Sequence, residues 1–320
     1  MSEPLHVQLI SPSGWPAPEA LRRGVERLRR VGCTVAGEDT AQRRWLRFAG
    51  TDEERAADIN RLADPGVPLP DIVMATRGGY GVHRILPQLD YAGLRKRLTG
   101  KPVALVGHSD LTALSLALLA QADLVTFAGP MLAYDFGGQT ASDFTLQAFW
   151  NTLRESARVV RWQGGPGTPV NVMGTLWGGN LAVLCSLVGT PYLPAVERGI
   201  LFVEDVFEPV YRIERLFQQL KLSGVLDRQR AVVLGDFSSY RGDEYDRGYD
   251  MRALVAYLRR VTDVPIVTQM PFGHCRNKLT VPVGARARLR ADAEGKVELA
   301  FTGYPHLVAD PVREERADAG

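Results

Sequence analysis

Pro102-Val103-Ala104-Leu105-Val106-Gly107-His108-Ser109-Asp110-Leu111 reads as an apolar strand that breaks at a glycine and restarts as a helix. The run from Leu111 to Ala120 is mostly apolar and long enough for a helix packed on a sheet. The same strand-and-turn unit occurs twice upstream. Asp71-Ile72-Val73-Met74-Ala75 runs into Thr76-Arg77-Gly78-Gly79-Tyr80-Gly81, and His6-Val7-Gln8-Leu9-Ile10 runs into Ser11-Pro12-Ser13-Gly14. Between them, Pro18 to Arg30 places Leu21, Val25 and Leu28 on one helical face. Thr51 followed by Glu54 makes a capping box for a helix from Asp52 to Ala63. Continuous apolar strands alternating with helices imply a parallel sheet buried on both faces. Residues 1–150 are therefore expected to form an α/β domain.

Residues 151–170 differ in kind. Arg161-Trp162-Gln163-Gly164-Gly165-Pro166-Gly167-Thr168-Pro169 is rich in turn formers and is read as a linker. A second α/β domain is expected over 171–309. It has strands at Asn171–Leu176, Gly199–Val203, Ala231–Leu234 and Pro265–Val267, and helices at Leu181–Val188 and Tyr211–Leu222. Thr280-Val281-Pro282-Val283-Gly284 and the stretch from Ala285 to Leu299 alternate like antiparallel β. Asp310 to Gly320 is charged, lacks a core pattern and is expected to fray.

The 320 residues carry 38 basic and 36 acidic side chains, a net charge of +2, and 45% of them are hydrophobic. That balance gives no argument from charge for a nucleic-acid or membrane-surface partner, and none is expected. Three cysteines, Cys33, Cys185 and Cys275, are too few and scattered for a disulfide framework, which suits a reducing cytoplasm. No signal peptide or membrane-spanning run is read from the sequence. None of the five histidines pairs at zinc-ligand spacing, and neither a dinucleotide fingerprint nor a P-loop lysine motif is present. No metal and no organic cofactor are expected.

Nucleophilic catalysis remains. Ser109 stands at a strand-to-helix turn, where its Oγ would project and free N–H groups at the helix start would face a developing negative charge. The second glycine of G-x-S-x-G is missing, so a simple helix N-cap stays open as the competing role. A serine nucleophile needs a base. His274, in Pro271-Phe272-Gly273-His274, is the better candidate, because His108 would point away from the cleft if Ser109 points into it. Glu204, ending the strand Ile200 to Val203, is the first candidate to orient that base, and Asp236 is the runner-up. A small-molecule binding protein with no chemistry would also fit this scaffold.

Five segments together resemble the LD-carboxypeptidase family, serine peptidases that include muramoyltetrapeptide carboxypeptidases and microcin C immunity proteins. They are Arg77-Gly78-Gly79-Tyr80-Gly81 with Arg84-Ile85-Leu86-Pro87, and Gly107-His108-Ser109-Asp110-Leu111-Thr112-Ala113-Leu114. Next come Gly174-Thr175-Leu176-Trp177-Gly178-Gly179-Asn180-Leu181 with Gly189-Thr190-Pro191-Tyr192, and Leu201-Phe202-Val203-Glu204-Asp205 with Tyr211-Arg212-Ile213-Glu214-Arg215. The last is Pro271-Phe272-Gly273-His274 with Asn277 and Val281-Pro282-Val283-Gly284.

The resemblance implies a flavodoxin-like parallel-sheet N-terminal domain, a swivelling-type α/β C-terminal domain and an active site at their interface. It implies a triad of Ser109, His274 and Glu204, with Gly79 and Asp110 supplying the oxyanion-hole N–H groups. Trp177, Asn180 and Arg212 are candidate substrate contacts. Trp177 could instead be a core aromatic, and Arg212 could pair with Glu208 or Glu214. The expected substrate is a small peptide, a murein tetrapeptide, cleaved by a cytoplasmic homodimer. A microcin-type aminoacyl-sulfamoyl adenylate is the alternative.

Overall fold

The computed structural model describes residues 4–240, 242 and 244–307, so the segment expected to fray lies outside the described residues. Five short strands open the chain: β1 (Leu5–Ile10), β2 (Cys33–Ala36), β3 (Ile72–Ala75), β4 (Ala104–Gly107) and β5 (Thr126–Ala128). They pair in parallel in the order 2-1-3-4-5, the doubly wound arrangement of flavodoxin-like sheets. The connecting helices are α1 (Pro18–Arg30), α2 (Asp52–Asn60), α3 (Val82–Ile85), α4 (Tyr91–Leu98) and α5 (Leu111–Ala122). The capping box of α2 forms with both of its hydrogen bonds. Every residue of β3 and β4 is buried, as their unbroken apolar runs require. α5 is buried from Leu111 to Leu118, as a helix apolar all round must be.

Helix α6 (Asp143–Arg154) leads to a second, mixed sheet. Its parallel half contains β7 (Val170–Asn180), β8 (Ile200–Glu204), β9 (Ala231–Leu234) and β10 (Ile266–Val267), with helices α7 (Leu181–Ser186), α8 (Val210–Leu222) and α9 (Met251–Val261) between strands. The segment expected to be a linker is not one throughout. Residues 151–154 finish α6, and β6 (Ala157–Gln163) is a full edge strand. Turn formers occupy only the short stretch after it. The sequence from Ala157 to Gln163 has enough β-branched and aromatic residues to pair once a partner arrives from far along the chain.

That partner comes last. β11 (Val281–Val283) returns to the first sheet and pairs antiparallel with β5. β12 (Arg286–Ala291) and β13 (Lys296–Thr302) then extend the second sheet from β7 out to β6, all antiparallel. Pro282 is tolerated because β11 is an edge strand. Just after β11, Gly284 N donates to Leu176 O at 2.7 Å and Leu176 N to Ala285 O at 2.8 Å, stitching the two sheets together. Among the described residues no helix is long and apolar enough to cross a membrane.

Candidate active site

The carboxyl ends of β3, β4 and β8 converge with the loop after β10. Ser109, at the break between β4 and α5, has φ +63°, the left-handed region that a non-glycine residue enters only under structural constraint. This is the geometry of a nucleophile turn. Gly78 allows the close approach it needs. A β-carbon there would lie 2.8 Å from Ser109 Cβ and 2.9 Å from Ser109 Oγ.

Asp110 follows as the N-cap position of α5, but its side chain makes no cap hydrogen bond. Its Oδ2 instead accepts from Ser13 Oγ at 2.6 Å and from Val82 N at 3.0 Å, holding the loop after β1 and the start of α3 against the serine turn. Among the described residues the backbone N–H groups of Gly79 and Asp110 donate to no protein acceptor.

Glu204 is fully buried at the end of β8, in register with Asn180 of β7. His274 Nδ1 lies 2.7 Å from Glu204 Oε2. A carboxylate accepts here, so Nδ1 carries a proton, which in the neutral tautomer leaves the lone pair on Nε2. Asn180 Nδ2 donates to Glu204 Oε1 at 3.2 Å and to Asp205 Oδ1 at 3.0 Å, while Asn180 Oδ1 caps α7 at Val183 N. Gly273, at φ +131°, leaves room for the pair: a β-carbon there would fall 2.9 Å from Glu204 Cβ and 3.0 Å from Oε2. Asp236 does not reach the histidine; its Oδ1 accepts from Ser238 N at 3.3 Å.

The two halves meet at this point. Asn180 N donates to Thr112 Oγ1 in the first turn of α5 at 3.0 Å. The ring of His108, next to the serine, stands edge-on to the His274 ring with centroids 5.2 Å apart. His108 is buried and faces away from Ser109. Its Nδ1 lies 2.8 Å from Gly129 O, and its Nε2 lies 3.3 Å from Lys278 Nζ. Burial first, and then the Lys278 charge, hold its pKa well below the ordinary histidine value, so it stays neutral.

Lys278 is itself fully buried. It pairs with Asp135 at 2.8 Å and lies over the Tyr134 ring at 4.7 Å. Tyr134 OH in turn donates to His274 O at 3.2 Å. Asp135 and Tyr134 belong to a π-helical turn, Leu132–Phe136. None of these three residues is singled out by the sequence reading. The pair between Lys278 and Asp135 is long-range and leaves no local pattern.

Three expected substrate contacts have other roles. Trp177 has no exposed surface, and its indole N–H donates to Gln229 Oε1 at 2.9 Å, so it is a core aromatic and not a stacking platform. The side-chain atoms of Asn180 are taken up by Glu204, Asp205 and the α7 cap. Arg212, in the first turn of α8, pairs at 2.8 Å with Glu208 in the loop just before the helix. Among the described residues no cluster of His, Cys, Asp or Glu could hold a metal ion.

Comparison with known proteins matches residues 7–129 to the LD-carboxypeptidase N-terminal domain and residues 173–289 to the C-terminal domain. A Streptomyces coelicolor protein named as a carboxypeptidase is 38% identical, over 89% of this chain and 90% of its own. The microcin C7 self-immunity protein of Escherichia coli is 30% identical over 88% of each chain. The crystal structure of muramoyltetrapeptide carboxypeptidase from Oxalobacter formigenes superposes with a TM-score of 0.86 at 42% identity, covering 94% of this chain and 99% of that one. With both domains matched in order and the two-sheet architecture shared, the chain belongs to the LD-carboxypeptidase family of serine-type peptidases.

Proposed function

We propose that the chain is an LD-carboxypeptidase of murein tetrapeptides, releasing the terminal D-amino acid from the L-residue before it. The observation that carries this reading is the hydrogen bond from His274 Nδ1 to buried Glu204, with the His274 ring packed 5.2 Å from that of His108, the chain neighbour of a serine in a left-handed turn at the head of α5. Ser109 Oγ attacks the scissile carbonyl carbon and His274 Nε2 takes the hydroxyl proton. Glu204 holds the ring in the required tautomer and stabilises the imidazolium. The oxyanion is received by the N–H groups of Gly79 and Asp110, each worth about 3 kcal/mol in the transition state. Collapse breaks the C–N bond as His274 returns its proton to the leaving amine. Water then clears the acyl-serine by the same route. The protein acts in the cytoplasm as a homodimer; a monomer in sedimentation equilibrium at micromolar concentration would remove the second part.

The test follows release of D-alanine from a murein tetrapeptide. Ser109→Ala and His274→Ala each lower kcat/KM by at least about 10³ while leaving the unfolding transition in place. Undiminished hydrolysis in Ser109→Ala refutes the mechanism. Trp177 is buried and so is not the aromatic that a nucleobase would stack on. Turnover of an aminoacyl-sulfamoyl adenosine in place of the tetrapeptide would transfer the substrate to the microcin class.

A further inference from the structure

Beside the serine turn lies a recess of about 280 Å³ lined by Gly14, Trp15, Arg47, Arg77, Gly79 and Tyr80. It sits between the loops that follow β1 and β3, where the strand order of the first sheet reverses. Open α/β sheets take their ligands at that crevice. Its walls are built. Buried Arg55 donates to Pro12 O at 2.5 Å and to Gly81 O at 2.9 Å, and Gly14 N bonds Gly78 O at 3.4 Å, tying the two loops together. Arg77 Nη1 donates to Trp15 O at 2.8 Å, and the Arg47 guanidinium lies 5.7 Å from the Tyr80 ring centroid.

The recess carries uncompensated positive charge. Arg43 is matched by Asp58, while Arg55 and Arg84 share Asp52. Among the described residues no carboxylate lies within ion-pair distance of Arg47 or Arg77, nor of Arg44, which stacks on Trp15. The recess also begins one residue from the nucleophile, since Gly78 abuts Ser109 and Gly79 lines the wall. In a C-terminal residue the free carboxylate carbon lies three bonds from the attacked carbonyl carbon, about 3 to 4 Å away.

We infer that Arg77 and Arg47 form the subsite for the free α-carboxylate of the residue to be released. This inference rests on the carboxypeptidase reading above and adds what makes such an enzyme act only at a chain end. The guanidinium groups meet the carboxylate with charge-assisted hydrogen bonds, and a peptide whose end is an amide has no charge to place there.

The experiment measures binding of a murein tetrapeptide and of its C-terminal amide to the Ser109→Ala protein by calorimetry, and repeats it with Arg77→Gln or Arg47→Gln added. The expected result is at least about a 10-fold preference for the acid, lost in either arginine variant with amide affinity unchanged. Arg47→Lys restores part of it. Equal weakening of both peptides, or an acid preference indifferent to both arginines, overturns the subsite and leaves the carboxypeptidase reading standing. Binding of neither peptide overturns both.

Discussion

Replacing Lys278 by methionine removes one partner of a buried ion pair behind the candidate site. Lys278 has no exposed surface, and Asp135 retains only a few per cent of its side-chain exposure. With the ammonium gone, Asp135 keeps one donor, Met131 N at 2.8 Å, and its other oxygen faces protein with no counter-charge. His108 Nε2 also loses its contact. Breaking a buried pair from one side costs about 3–5 kcal/mol, so that is the expected loss in urea denaturation at pH 8. The sign with pH follows. Burial already raises the Asp135 carboxyl, and Lys278 partly holds it down. Its removal lets the folded-state value climb further above the unfolded one, so the folded variant takes up a proton as pH falls and the penalty shrinks. His108, no longer opposed by the lysine, protonates more readily and shifts the balance the same way. The penalty is thus full above the raised carboxyl value and smaller near pH 5. The double variant Lys278→Met/Asp135→Leu recovers most of the loss. A cost below about 1 kcal/mol at pH 8, or one that grows toward pH 5, refutes the argument.

Gly78→Ala places a methyl group 2.9 Å from Ser109 Oγ; kcat falls by at least about 10-fold with little change in Tm, and an unaltered kcat would show that the turn yields. Trp177→Phe strands Gln229 Oε1 and costs about 1–3 kcal/mol in denaturation, while kcat/KM for the tetrapeptide is unchanged. Burial pushes the Asp205 carboxyl up to about 6. Its protonated form then favours folding below the ordinary carboxylate range, and this contribution is lost as pH rises through about 6. Asp205→Asn flattens the stability profile between about pH 4 and 6, and an unchanged profile would assign that dependence elsewhere.

How far the sequence announces this structure depends on the range of the interaction. Helix α1 runs over the span that its apolar face and Pro18 define, and α2 starts at the capping box. Both are local signals. The serine turn is legible because an apolar strand, a glycine and an apolar helix meet at one point. For the pair of Glu204 and His274 the sequence offers a strand-end carboxylate and a loop histidine, and spacing alone leaves Asp236 open; the family resemblance singles out Glu204, which is the one that bonds the ring. For Trp177 the sequence leaves a substrate contact and a core aromatic both open, and the structure has it in the core. The large positive φ values of Gly178 and Gly179 let β7 press against β8 and α5, with the indole of Trp177 turned inward. β6 was hidden because its partner, β13, lies near the other end of the chain. Lys278 and Arg55 were invisible because charged side chains are ordinarily solvated, and only tertiary contacts show what neutralises them.

The return of β11 to the first sheet constrains how this molecule can be taken apart. Val281, Pro282 and Val283 cover the outer side of β5, and among the described residues none of the first half pairs there. A fragment ending before β6 would leave the backbone of β5 bare, an open template for strand addition by other copies. The first half is therefore expected to need the last part of the chain to close its sheet edge. Two sheets here do not make two separable pieces, because one edge strand of the first is supplied from beyond the second.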